Sequence, residues 1–188
     1  MKRIGIYGGT FDPVHHAHLI LARDALEKFE LEKIIFVPAA VSPFREAPSA
    51  SADIRWQILQ TAIAGEPCFE ANDCELRRPP PSYTIDTVLE LGAQHSDAEF
   101  FFLIGDDNLP ALPRWHRYME LRELVTFVVL ARATEPSAHD YLRVERRLEI
   151  SATEIRARVA AGRSIRYLVP EEVEKIIRAH KLYRETSR

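Results

Sequence analysis

Short apolar runs ended by turn residues alternate along the chain with stretches of helical periodicity. The opening KRIGIYGG is an apolar run stopped by two glycines, the pattern of a buried strand entering a tight loop. HLILARDALEKF then spaces its apolar residues along one helix face. The alternation recurs in the strand-like runs KIIFVP (33–38), a weaker CFEANDCEL (68–76), EFFFLIG (99–105) and TFVVLAR (126–132), with helix-like stretches over about 52–64, 84–94 and 115–124. Strands that alternate with helices imply parallel pairing through right-handed crossovers, with helices covering both faces. The pattern therefore predicts an α/β fold, a doubly wound and mainly parallel sheet.

Beyond residue 132 the pattern changes. ATEPSAHDYLRVERRLE is polar, is interrupted by Pro136 and reads as a surface connection. Two helices are predicted after it. SATEIRARVAAG begins Ser-x-x-Glu, so Ser151 can cap the helix while Glu154 reaches back, and Gly162 suits its end. PEEVEKIIRAHKL places Pro170 in a first turn beside acidic residues, as the helix dipole prefers. No internal repeat or low-complexity tract interrupts the chain. Its 188 residues, 46% hydrophobic and 28% charged, suit one globular domain over 1–188 with a helical carboxyl-terminal portion from about 150.

Charge narrows the ligand class. A formal net charge of −3 supplies no broad footprint for nucleic acid, so an anionic ligand must be met by a local pocket. Cys68 and Cys74 match neither a redox pair nor a zinc knuckle and read as reduced thiols. The amino terminus has no secretory pattern, and no apolar run approaches the ~20 residues that span a bilayer, so a cytoplasmic protein without membrane contact is expected.

Candidate chemistry gathers where strands end, since ligands of open parallel sheets sit beyond the carboxyl ends of the strands. The stretch YGGTFDPVHHAHL places His15, His16 and His18, three of seven histidines, inside four positions. Gly8 and Gly9 let backbone approach a ligand, and the following helix offers free N–H groups and a positive dipole end, which together suit phosphate. The segment is neither GxGxxG nor a Walker A sequence. His15 and His18, three apart, share a helix face and can donate to phosphate oxygens. A glycine turn with incidental histidines is the bland alternative; a metal site lacks HExxH spacing and an evident Cys or Glu partner. Elsewhere the residues leave choices open: SATE is explained as a cap alone, Asp107 as a solvated acid, Trp115 as core and Arg156 as a surface cation.

Read together, these segments resemble a known family. GGTFDPVHHAHL is similar to the (H/T)xGH signature of the nucleotidyltransferase superfamily, with His15, Ala17 and His18 at its marked places, and ISATEIR resembles the second signature, ISSTxIR. RPPPSYTIDTVLEL, FFLIGDDNL with Trp115 shortly after, and YLVPEEVEKIIRAHKLY are similar to the bacterial nicotinate-mononucleotide adenylyltransferases, a likeness over about residues 3–184. The resemblance implies a Rossmann-like sheet and transfer of AMP from ATP to nicotinate mononucleotide, with Mg²⁺ accompanying ATP and no protein metal ligand. It implies catalytic roles for His15 and His18. It implies ATP and phosphate contacts from Gly8, Gly9, Thr10, Phe11, Arg45, Ser151, Thr153 and Arg156. Mononucleotide contacts are implied for Ser82, Tyr83, Thr84, Asp107 and Trp115. Three positions depart from the family pattern: Ala17 for Gly, Ala152 for Ser, and Phe44 for an imidazole. The methyl of Ala17 then either crowds the nucleotide or meets a pocket adapted to alanine.

Overall fold

Alternate residues of each central strand face opposite layers of helices, and every central strand is buried on both sides. The computed structural model describes residues 1–41, 43, 47–131 and 139–184. The strands are β1 Lys2–Gly9, β2 Lys33–Pro38, β3 Phe69–Ala71, β4 Ala98–Gly105, β5 Val125–Ala131 and β6 Leu142–Glu145. They form one parallel sheet in the order β3-β2-β1-β4-β5-β6. The order reverses between β1 and β4, where Ile6 pairs with Phe102 and Tyr7 with Leu103. Adjacent connections leave that point in opposite directions, which opens a crevice at the carboxyl ends of those two strands.

The helices are α1 His16–Lys28, α2 Ala52–Ile63, α3 Cys74–Arg77, α4 Thr84–Gln94, α5 Tyr118–Leu124, α6 Ala152–Ala160 and α7 Glu171–Ala179, with a 3₁₀ segment over Asp106–Arg114. On one face Tyr7, Phe36, Leu103 and Val128 meet Leu21 of α1, Leu59 of α2, Ile155 of α6 and Val173 of α7. On the other Ile6, Val37, Phe102 and Val129 meet Val88 of α4, Leu121 of α5 and Leu112 of the 3₁₀ segment. Burying each such large apolar side chain is worth about 1.5–3 kcal/mol. The helices α6 and α7 thus share the sheet's own core.

Several boundaries differ from the sequence expectation. CFEANDCEL is strand only over Phe69–Ala71; the Asn72 side chain accepts from the Cys74 N–H at 2.9 Å and turns the chain into α3. The presumed surface connection contains β6, an edge strand whose pattern is hidden because only Val144 of LRVE is buried. Prolines 110 and 113 lie in the 3₁₀ segment, which delays α5 to Tyr118 and leaves Trp115 as a cap. Pro170 is the N-cap of α7 rather than its first helical residue. Ser151 does cap α6, accepting from the Glu154 N–H at 3.1 Å, but the Glu154 carboxylate pairs with Arg158. Gly162 follows α6 with φ +66°, the left-handed stop that glycine permits.

Candidate active site

The amino-terminal motif is a turn packed on itself. Phe11 takes a left-handed φ of 48°, and its ring fills the space beside Gly9, where a Cβ would come within 3.0–3.3 Å of it. The absence of a side chain at Gly9 therefore serves the turn, not only a ligand. His15 is the extended N-cap of α1, so the expected shared helix face is replaced by a stack: the His15 and His18 rings lie 3.7 Å apart at 27°. The His15 backbone N–H donates to His18 Nδ1 at 3.2 Å, and the His18 N–H returns to the His15 carbonyl at 2.9 Å. A ring nitrogen that accepts carries no proton, which puts the His18 ring proton on Nε2. Rings of Tyr7 and Phe11 wall His18 at 5.9 and 5.1 Å.

Beneath this turn lie buried charges that sequence reading missed. Asp12 is 4% exposed, and its carboxylate accepts from the Ser49 N–H (2.6 Å), the Ala50 N–H (3.3 Å) and the Tyr183 hydroxyl (2.7 Å). Burial first, and the Asp12 charge second, hold the Tyr183 phenol well above its ordinary pKa, so it stays a donor. Arg55, 1% exposed, donates to the carbonyls of Thr10 (2.8 Å), Ala39 (2.7 Å), Ala40 (3.3 Å) and Ala50 (3.3 Å). Burial lowers its pKa, and Asp12 pulls the other way. Neither residue carries a spacing signature, since an isolated Arg in a helical run usually faces water.

Two further segments complete the cleft. At the start of α6, Arg156 donates to the Asp12 carbonyl at 2.8 Å and to Thr153 Oγ1 at 3.3 Å. Because Ser151 Oγ and Thr153 Oγ1 each accept a bond, their own protons can be directed at a ligand. Opposite, Trp115 is half-buried, edge-on to Phe102 and Phe127 at 6.1 and 6.4 Å, so it is both core and wall. Tyr83 packs on His116 at 4.5 Å, a cleft residue not foreseen. A Cβ at Gly105 would lie 2.4 Å from Asp107 Oδ1, so glycine there lets the carboxylate fold over the strand end.

Glu75 lines the same half. It is 7% exposed, and burial raises its pKa above the ordinary carboxylate range, opposed by hydrogen bonds from Thr87 and Ser82 and by the Arg78 charge. Cys74 beside it is buried, its thiol pushed up to about 11, and both cysteines are free thiols.

The cleft encloses about 560 Å³ at the carboxyl ends of β1 and β4. Its walls bring together Gly8, Gly9, Thr10, Phe11, His15 and His18 from the first motif, Ser151, Thr153 and Arg156 from the last, and Ser82, Tyr83, Thr84, Asp107 and Trp115 between them. Arg45 and Phe44 lie outside the described residues. Ala17 is fully buried and does not line the cleft, which disfavours the reading in which its methyl crowds a nucleotide; Ala152 does line it. Among the described residues no three His, Cys, Asp or Glu side chains gather to hold a metal. The Asp12 and Glu75 carboxylates are committed to internal hydrogen bonds, and Asp107 is the other carboxylate in the cleft wall. Among the described residues no helix is long and apolar enough to cross a membrane.

Comparison with known proteins identifies the family. The cytidylyltransferase-like family model matches residues 6–158. A probable nicotinate-nucleotide adenylyltransferase of Geobacillus thermodenitrificans is 43% identical over 187 residues, 97% of this chain and 87% of that protein. Another, of Shouchella clausii, is 43% identical over 189 residues, covering 97% of each. Among solved structures, the nicotinic acid mononucleotide adenylyltransferase of Plasmodium falciparum complexed with NaAD superposes with a TM-score of 0.80 at 18% identity, over 97% of this chain and 98% of that one. At that identity the superposition shows the fold alone.

Proposed function

The chain belongs to the cytidylyltransferase-like family of nucleotidyltransferases, and from that premise we propose that it joins the AMP part of ATP to nicotinate mononucleotide, releasing pyrophosphate, a step of NAD biosynthesis. One observation carries the reading: an imidazole pair, a capped helix start with its arginine, and an aromatic-walled recess converge in one cleft whose 560 Å³ suits a nucleotide-sized ligand.

In this reaction an oxygen of the mononucleotide phosphate attacks the α-phosphorus of ATP. The bond from that phosphorus to the bridging oxygen breaks, and pyrophosphate leaves with the electron pair. The nucleophile is already an anion at neutral pH, so no general base is needed, and catalysis is positioning plus charge stabilisation. His18 donates through Nε2–H to the transferring phosphate, and His15 stacks against it and shares the binding. Gly8, Gly9, Thr10 and Phe11 shape the nucleotide turn. Ser151, Thr153, Arg156 and the first N–H groups of α6 hold the β- and γ-phosphates, as helix amino termini do; Arg45 is assigned to the same anion. A divalent cation, Mg²⁺ in this reading, would arrive with ATP and would supply charge neutralisation on the triphosphate that Ser151, Thr153 and Arg156 hold.

The acceptor occupies the other half. Asp107 meets the ribose, Trp115 faces the pyridine, and Ser82, Tyr83 and Thr84 bring the opening of α4 to its carboxylate, where amide N–H groups favour an anion. An amide would present its own donors to those donors. The protein works in the cytoplasm, on small molecules. The test is to incubate purified protein with ATP, Mg²⁺ and either nicotinate or nicotinamide mononucleotide and follow pyrophosphate. The acid should win by about tenfold or more in kcat/KM, the worth of one charge-assisted hydrogen bond. Parity refutes the assignment at Ser82–Thr84, and silence with both refutes the reaction.

A further inference from the structure

A buried acid is an unexpected neighbour for a pocket that takes an acid. Glu75 lies in the wall of the cleft beside Ser82, Tyr83 and Thr84. Its partners explain why a carboxylate stands there. Thr87 Oγ1 accepts from Arg78 at 2.5 Å and donates to Glu75 Oε1 at 2.6 Å. Ser82 Oγ accepts from the Ala40 N–H at 3.1 Å, and its hydroxyl favours the ionised form of the neighbouring Glu75. The Ser82 N–H is tied as well, to the Val41 carbonyl at 3.0 Å. A chain of donors from Arg78 through Thr87 therefore ends on Glu75, and Ser82, tied to the loop after β2, flanks the same carboxylate.

Resting on the acceptor assignment above, we infer that Glu75 is a positioning residue for the mononucleotide: it fixes Ser82 and Thr87, and with them the Tyr83–Thr84 opening of α4 that lies between. Glu75 does not itself meet the substrate. The Ser82 and Thr87 hydroxyls bracket Tyr83 and Thr84, so freeing them lets the turn drift while the imidazole pair and the start of α6 stay in place. Glutamine matches the shape but not the chemistry, because its NH₂ turns a donor toward one of the two hydroxyls.

The test uses Glu75→Gln in the full chain, with initial rates measured by varying each substrate at saturation of the other. KM for nicotinate mononucleotide should rise about tenfold, as for loss of one hydrogen bond to a charged group, while KM for ATP stays within about twofold. Thr87→Val, which removes one of the two hydroxyls, should raise the same constant by a smaller factor, and it decides the matter if Glu75→Gln does not fold. An unchanged mononucleotide KM, or equal rises in both constants, overturns the inference. If the wild type instead uses another phosphorylated acceptor, the acceptor assignment falls, and the same comparison of the two KM values with that acceptor still decides the role of Glu75.

Discussion

The two halves of the cleft are held in different ways. The phosphate half is tied by contacts distant in sequence: Tyr183 reaches Asp12 across 171 residues, Arg156 reaches the Asp12 carbonyl across 144, and Arg55 gathers carbonyls from three loop segments. The mononucleotide half is held by shorter spans, Glu75 to Thr87 across 12 residues and Ser82 to Ala40 across 42. A site built from long-range ties through buried charge shares its fate with the fold, whereas a site braced over shorter spans can loosen alone. Substitutions in the first half should therefore cost stability and activity together. Those in the second should separate them.

The severest break is at Arg55. Arg55→Ala strands four carbonyls and leaves Asp12 with less compensating charge; removing one partner from such a buried arrangement costs about 3–5 kcal/mol. Denaturant unfolding measures it, and a loss below about 1 kcal/mol would show that the loops hold together without the guanidinium. His18→Ala should lower kcat by about 10²- to 10³-fold, the usual effect of losing a donor to developing charge. Circular dichroism should still show the wild-type fold, and near-full turnover would remove His18 from the catalytic assignment.

Tyr183→Phe sharpens the comparison, since it keeps the ring and deletes one bond to the Asp12 carboxylate. It should cost about 1.5–3 kcal/mol of stability and weaken ATP more than the mononucleotide. Equal weakening of both substrates would contradict the division into halves. Ala17→Gly should cost up to about 1 kcal/mol in the helix without raising catalytic efficiency, because the methyl is buried away from the cleft. A gain in kcat/KM would restore the crowding expected from the motif.

The smallest effect concerns pH. Burial raises the folded-state pKa of Glu75, so the stability linked to its proton is fully present below the ordinary carboxyl value and is lost as pH rises through the folded value. Glutamine does not titrate. The stability of Glu75→Gln relative to wild type should therefore shift in favour of the variant as pH rises above the ordinary carboxyl value, read by denaturant unfolding across a pH series. A shift in the other direction would mean that the hydrogen bonds outweigh the burial.

The sequence by itself determined the α/β alternation, the strand-to-glycine entry at Gly8 and Gly9, the cap at Ser151 and the order of the motifs. These features are local: two-residue periodicity, turn chemistry and helix capping act within a few positions and leave their marks in adjacent letters. It also placed His15, His18 and the Ser82–Thr84 segment among the candidates, and the fold brought them to one cleft. Features that depend on distant partners were hidden. Nothing near Asp12 announces Tyr183, nothing in the helix around Arg55 marks it as buried, and LRVE shows too few apolar residues to read as strand until its edge position is known. Tertiary structure alone decided which charges would be buried, because a charge is tolerable inside only where partners from elsewhere in the chain arrive to satisfy it.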